Sequence, residues 1–339
     1  MVIGQIRVLV VDDSVLMRRV LSDLLQSDKQ ITVIGTARDG VDAIAKVAAL
    51  QPDVVTMDIE MPNMDGLTAV QRIMEAYPIP IIMISALTQR ETQLTLKALD
   101  YGAVDYVPKP SGPISMDMTG VRDELISKVK VAASAKIIGA KMQAWENTES
   151  QAKCDDKIIS IAASTGGPPA LTRVLSALPS DVPPILIVQH MPKGITKFFA
   201  DGLNEKCKFR VKEAEEGDSI QSNLALVAPG GFHMTVTKEK RISLNLDPVV
   251  NYVRPSADVL LVSAAELFGS KNISVVLTGM GSDGANGIKM IKSKGGFTIA
   301  QDQKTSVVYG MPKVAAETGC IDSVVPLELI PREILKACI

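Results

Sequence analysis

The chain has 339 residues, 46% of them hydrophobic and 22% charged, with a formal net charge of −2. That supplies a core, excludes a globally disordered chain, and leaves no overall basic excess for duplex nucleic acid or an anionic membrane. Aromatic residues make up only 4%, too few for single-strand stacking platforms. The length predicts two domains at roughly 100–200 residues each.

Residues 1–120 alternate short apolar runs with amphipathic stretches. Ile6–Val11, Ile31–Ala37, Asp53–Met57, Pro80–Ile84 and Asp105–Val107 read as buried strands. Val15–Gln26, Gly40–Leu50, Gly66–Ala76 and Thr88–Tyr101 read as helices between them. This pattern predicts a parallel, doubly wound sheet. Pro108, Pro110 and Pro113 punctuate the end of the last strand, and a longer helix is expected over Val121–Met142. The polar, patternless run from Trp145 to Gln151 reads as a linker. A second α/β block follows from Lys157. Its strand candidates are Ile158–Ala163, Ile185–Gln189, Leu224–Ala228, Ile273–Thr278 and Phe297–Ala300. Met234–Thr237 and Ile242–Asn245 form a hairpin-like pair. The expected organisation is a first domain at 5–122, a helix and linker at 123–153, and a second domain at 154–339.

No apolar run approaches the ~20 residues of a membrane span, and Met1–Arg7 lacks the regions of a signal peptide. A cytoplasmic chain without membrane insertion is expected. Cys154, Cys207, Cys320 and Cys338 show no ligand spacing, so free thiols are expected rather than a zinc site.

In the first block, Asp12 and Asp13 follow the first strand and Asp58 follows the third. Carboxyl ends of parallel strands share one edge of the sheet. Three carboxylates converging there repel one another and call for a cation, and oxygen ligands of this kind suit Mg²⁺. The plainer alternative is that Asp13 or Ser14 caps the next helix. Ser85 after the fourth strand and Lys109 after the fifth add groups suited to holding a phosphoryl group.

Val10-Val11-Asp12-Asp13-Ser14, the segment Met57–Gly66, Ser85-Ala86 and Lys109-Pro110 resemble the receiver domain of two-component response regulators, a flavodoxin-like fold. The resemblance implies that Asp58 is the phosphoacceptor. It also implies that Asp13, Asp58 and the main-chain carbonyl of Glu60 hold Mg²⁺, with Asp12 in support. Ser85 and Lys109 would contact the phosphoryl oxygens, and Tyr106 matches the aromatic switch position.

In the second block, Ser164 follows a strand and precedes Thr165-Gly166-Gly167-Pro168, a helix start with amides for a developing oxyanion. His190 directly follows Ile185–Gln189, and Asp283 lies just beyond Ile273–Thr278. All three fall at one rim of a parallel sheet, in chain order Ser, His, Asp. A serine needs a base, and a histidine base needs an acid to orient it. His233, the only other histidine, reads as a hairpin residue that could line a pocket.

Ala163–Gly167, Gln189–Pro192, Ala228–His233 and Leu277–Gly284, extended by Gln301-Asp302 and Gly310-Met311-Pro312, resemble the catalytic domain of CheB-type chemotaxis response regulators, the protein-glutamate methylesterases. The family's triad falls on Ser164, His190 and Asp283, and Thr165 and Met280 match positions beside the oxyanion. The resemblance implies a phosphorylation-activated hydrolase that demethylates glutamate methyl esters on chemoreceptor helices and deamidates receptor glutamines. It implies Mg²⁺ for receiver phosphorylation, no cofactor for hydrolysis, and a chemotaxis histidine kinase as phosphodonor. A receiver-controlled serine hydrolase with another substrate is the alternative. A DNA-binding output is disfavoured by the second domain's near-zero charge and its lack of a helix-turn-helix pattern.

Overall fold

The structure, a computed structural model, describes residues 5–86, 88–110, 118–135 and 156–339. The chain divides into two compact units, Met1–Met142 and Gln143–Ile339.

The first unit runs β1 (Ile6–Val11), α1 (Val15–Gln26), β2 (Ile31–Ala37), α2 (Gly40–Leu50), β3 (Val54–Asp58), α3 (Gly66–Ala76), β4 (Ile81–Ser85), α4 (Gln89–Asp100), β5 (Asp105–Pro108) and α5 (Met118–Ala133). Its five strands pair in parallel in the order β2-β1-β3-β4-β5. Every residue of β3 and β4 is buried, which is why they read as continuous apolar runs rather than alternating ones. The helices start on side-chain caps. Ser14, Asp39, Asp65 and Thr88 accept from the amides of Met17, Asp42, Thr68 and Glu91. Ser14 is therefore the cap of α1, and the Asp13 carboxylate is not needed for it.

α5 corrects the sequence reading. It begins at Met118 rather than Val121, and a boundary after residue 122 falls inside it. The helix belongs to the first unit: Leu125, Val129 and Ala132 are buried, Lys128 Nζ lies 2.6 Å from Tyr106 O, and Lys130 Nζ lies 2.6 Å from Asp28 Oδ2. The far end of the expected helix, the run Trp145–Gln151 and Pro113 lie outside the described residues.

The second unit runs β6 (Ile158–Ala163), α6 (Gly167–Ser176), β7 (Ile185–Gln189), α7 (Ile195–Lys206), β8 (Arg210–Glu213), β9 (Leu224–Val227), β10 (His233–Val236), β11 (Ile242–Asn245) and α8 (Ala257–Phe268). It continues through β12 (Asn272–Val276), α9 (Ala285–Ser293), β13 (Phe297–Gln301), α10 (Met311–Glu317), β14 (Ser323–Val325) and α11 (Ile330–Cys338). Seven parallel strands form one sheet in the order β14-β13-β12-β6-β7-β9-β8, and β10 and β11 form a separate antiparallel pair. The expectation of two mainly parallel α/β domains with a small hairpin holds. The two edge strands, β8 and β14, were not expected. β8 is charge-rich and β14 has three residues, so neither carries a strong apolar signature. Ile158, Leu186, Leu226, Leu260, Leu261 and Ile288 belong to the core that joins the sheet to α8 and α9.

Cys207 and Cys320 are free thiols, Cys338 is buried, and Cys154 lies outside the described residues. Among the described residues, no helix is long and apolar enough to cross a membrane.

Candidate active site

Each sheet reverses its winding direction once, and each set of chemistry-bearing residues lies at that reversal. In the first unit β1 has β2 on one side and β3 on the other. The carboxyl ends of β1 and β3 therefore open a crevice. Asp12, Asp13 and Asp58 meet there, each with a carboxylate oxygen within 4.8 Å of the others. Lys109 Nζ lies 2.7 Å from Asp58 Oδ1 and 3.5 Å from Asp12 Oδ2. The remaining oxygen of Asp58, Oδ2, is buried without a hydrogen-bond partner among the described residues, and Asp12 Oδ2 is buried with the longer ion pair to Lys109. Burial pushes the Asp58 carboxyl up to about 6 and Asp12 up as well, against the pull of Lys109. Burial lowers Lys109, but the hydrogen bond and charge of Asp58 and the charge of Asp12 hold it above its ordinary value.

Ser85 ends β4, and its hydroxyl donates to Glu91 Oε2 at 3.2 Å; the Ala86 amide donates to the same oxygen at 2.6 Å. Lys109 N donates to Ser85 O at 2.7 Å, which ties the two loops together. Tyr106 is buried, and its hydroxyl lacks a hydrogen-bond partner among the described residues. Lys128 Nζ sits 4.9 Å from its ring centroid. The Glu60 side chain is exposed and pairs with Arg90 at 3.3 Å, so it turns away from the carboxylate cluster.

In the second unit β6 lies between β12 and β7, so the reversal falls at the carboxyl end of β6. Ser164 is the next residue. Its amide donates to Thr278 O at 3.0 Å, across the reversal. Ala163 is in register with Gln189, and the His190 amide donates to Ala163 O at 3.1 Å. Register alone therefore sets Ser164 and His190 side by side. His190 Nε2 lies 2.8 Å from Asp283 Oδ2. With Nε2 on the carboxylate, Nδ1 is the ring nitrogen left to act as base. No hydrogen bond joins Ser164 Oγ to the ring among the described residues; catalytic hydrogen bonds often form fully only when substrate binds.

Asp283 is almost fully buried, and hydrogen bonds compensate that cost. Oδ1 accepts from Ser256 Oγ at 2.6 Å, Asn251 Nδ2 at 2.8 Å and the Asp258 amide at 3.2 Å. Oδ2 accepts from the Ala257 amide at 2.6 Å as well as from His190. The carboxylate thus sits on the amino end of α8, where the helix dipole favours it. Burial pushes Asp283 up, but the hydrogen bond and charge of His190, followed by Ser256 and Asn251, outweigh that and hold it at about 2.

Thr165 follows the serine, and Met280 follows Gly279, which packs against Ser164. Thr165 is buried just before the amino end of α6, whose cap is Gly166 at φ 74°. Met280 is 45% exposed, and the Gly279 carbonyl accepts from the amides of Gly310 and Met311.

A methylesterase family model described as "CheB methylesterase" matches residues 159–334, and the model "Response regulator receiver domain" matches residues 8–117. The chain belongs to the CheB methylesterase family. A Pyrococcus horikoshii relative named protein-glutamate methylesterase/protein-glutamine glutaminase is 49% identical, over 98% of this chain and 94% of that one. A Symbiobacterium thermophilum relative of the same name is 46% identical, over 98% and 97%. The crystal structure of the Thermotoga maritima CheB methylesterase catalytic domain is 42% identical, with a TM-score of 0.52, covering 54% of this chain and 98% of that one.

Four groups, one in the first unit of this CheB-family chain and three in the second, were missed from sequence. Ser256 and Asn251 hold Asp283 from a loop with no apolar periodicity. Glu91 engages the Ser85 hydroxyl from the first turn of α4. Gln189, inside the quoted motif, donates through Nε2 to both Ser164 O at 3.0 Å and His190 O at 3.2 Å, clamping the two segments. Glu91 carried one legible signal: it stands three residues after Thr88 in a capping-box pattern.

Proposed function

We propose that this chain is a phosphorylation-controlled protein-glutamate methylesterase and protein-glutamine glutaminase acting on chemoreceptors. The observation that carries the reading is the His190–Asp283 pair, 2.8 Å apart, at the strand ends beside Ser164. The names of relatives at 43–49% identity supply the substrate class.

In this reading Ser164 Oγ attacks the side-chain carbonyl of a receptor glutamyl methyl ester while His190 Nδ1 takes its proton. The oxyanion is held by backbone amides beside Thr165 and Met280. His190 then returns the proton to departing methanol, or to ammonia when the substrate is glutamine. Water, deprotonated by the same nitrogen, resolves the acyl-enzyme and leaves a glutamate carboxylate. Asp283 keeps the ring oriented and stabilises its charged form, without itself taking the proton.

The receiver extends through α5, and the catalytic domain is the block from 154 to 339. Asp58 accepts a phosphoryl group from a histidine kinase. The buried carboxylate oxygens of Asp12 and Asp58, with Asp13 beside them, fit a divalent cation with oxygen ligands. These residues and the Glu60 carbonyl would hold Mg²⁺, which supplies charge neutralisation for the phosphoryl group. Lys109 neutralises the phosphoryl oxygens from the other side. The Ser85 hydroxyl donates to them, and Tyr106 follows the movement of that loop.

The test is methanol release from methylated receptors against release from free glutamyl methyl esters, with and without a small-molecule phosphodonor. Release from receptors, stimulated by donor, supports the reading. Hydrolysis of free esters alone assigns the site to a serine hydrolase with another substrate.

A further inference from the structure

His233 is fully buried, opens β10 and lies outside the triad. Both of its ring nitrogens are engaged. Nε2 lies 3.1 Å from Pro248 O, and Nδ1 lies 3.2 Å from Ser256 N. A carbonyl only accepts and an amide N–H only donates, so these partners assign the hydrogen to Nε2 and the lone pair to Nδ1.

These two bonds reach the two arms that hold Asp283. The Pro248 carbonyl anchors the loop that carries Asn251, whose side chain donates to Asp283 Oδ1 at 2.8 Å and to Asp258 Oδ2 at 2.9 Å. The Ser256 amide anchors the start of α8. Ser256 occupies the N-cap position of α8 but makes no side-chain cap bond. Its hydroxyl is turned to Asp283 instead, at 2.6 Å, and the next two amides follow it onto the same carboxylate.

We propose that His233 is a positioning residue of the esterase: its Nδ1 lone pair locks the Ser256 segment onto Asp283 and thereby sets the orientation of His190. This rests on reading Ser164, His190 and Asp283 as the triad. Packing alone does not require this residue type. An apolar ring would fill the same space, but it would leave the fully buried Ser256 amide without its acceptor.

Three substitutions separate the two bonds. His233→Asn places a carbonyl oxygen near the Nδ1 position and keeps the acceptor for Ser256. His233→Gln places an amide nitrogen near the Nε2 position and keeps only the Pro248 bond. His233→Phe keeps the volume and neither bond. In the full chain, two readouts are compared. One is kcat and KM for methanol release from methylated receptors. The other is the rate at which a fluorophosphonate labels Ser164, which does not depend on the natural substrate.

His233→Asn is expected within about threefold of wild type, while His233→Gln and His233→Phe lose roughly ten- to hundredfold in kcat and in labelling rate, with KM little changed. A Gln variant as active as the Asn variant, or a loss confined to KM, overturns the proposal. If the His233 variants do not fold, Ser256→Ala decides. It removes only the hydroxyl on Asp283 and should lower kcat and labelling about tenfold in a folded chain; an unchanged rate overturns the proposal. Wild-type labelling at Ser164 without methanol release would defeat the methylesterase reading alone, and His233 is then judged on labelling. Absence of labelling at Ser164 would defeat the triad and this proposal together.

Discussion

Gly279 and Ser164 are packed so closely that no side chain fits between them. A Cβ on Gly279 would lie 2.7 Å from Ser164 Cβ and 3.1 Å from Ser164 N, and would overlap Met311 Sδ. The glycine lets the loop after β12 close onto Ser164 at the end of β6. Gly279→Ala must therefore displace Ser164 or the loop. A displacement near 1 Å costs about a hundredfold in rate. Methanol release by Gly279→Ala should fall by roughly that factor while phosphodonor labelling of Asp58 stays at the wild-type level.

Ser164→Ala and His190→Gln should each remove nearly all esterase activity, and the double substitution should cost little more than either one, because nucleophile and base act as a unit. Asp283→Asn should keep more activity than Ser164→Ala, since it impairs orientation rather than the nucleophile. The check is initial methanol release by the three single variants and the Ser164→Ala/His190→Gln pair. Simple additivity would place one of these residues outside the catalytic unit.

Asp283 should also contribute to acid stability. Its carboxyl is held at about 2, below its ordinary value of 3.8. A folded-state pKa below the unfolded one stabilises the fold above about pH 4, and that contribution disappears as pH falls from about 4 to about 2. Two units of pKa correspond to about 2–3 kcal/mol. Asp283→Asn should lose about 2 kcal/mol at neutral pH and show a flatter stability curve below pH 4, measured by denaturant unfolding of the second unit across pH.

The opposite sign is expected at Asp58, which burial holds up at about 6. In its ionised form it is a buried charge that Lys109 meets at one oxygen, while the other lacks a hydrogen-bond partner among the described residues. Asp58→Asn should abolish labelling by a phosphodonor and raise the stability of the first unit in chelator at pH 7 by about 1–3 kcal/mol. Mg²⁺ should raise the melting temperature of the wild-type unit and raise that of the variant much less. Calorimetry with and without Mg²⁺, beside a labelling assay, checks both. Retained label in the variant would place the acceptor elsewhere.

Glu91 is expected to oppose phosphoryl binding by Ser85. The Ser85 hydroxyl has one hydrogen, and here it goes to Glu91 Oε2. A phosphoryl group on Asp58 has to draw that hydrogen away from a carboxylate, whose charge also opposes the incoming dianion. Glu91→Ala should reach half-maximal phosphorylation at a several-fold lower phosphodonor concentration than wild type. A titration of labelling against donor concentration decides it, and an unchanged or higher midpoint would remove Glu91 from the switch.

The sequence alone carried most of the architecture, because parallel strands buried on both faces write themselves as apolar runs. The runs end on the candidate site residues: Asp12, Asp58, Ser85, Lys109, Ser164 and His190 all stand at or just past strand ends, where a parallel sheet gathers its chemistry. Chain order and strand polarity were enough to bring them to two rims. What sequence could not decide was what holds them there. Ser256 and Asn251 reach Asp283 from a loop whose path has no periodic signature. His233 looked like an ordinary hairpin residue until its two ring partners were placed. The place of α5 in the first unit was misread because Lys128 and Lys130 fasten it to β5 and to Asp28 in the loop after α1, through contacts remote in sequence. These are bonds between segments brought together only when the sheet closes. Their partners depend on where backbone donors and acceptors fall in three dimensions, and no local pattern of side chains encodes that.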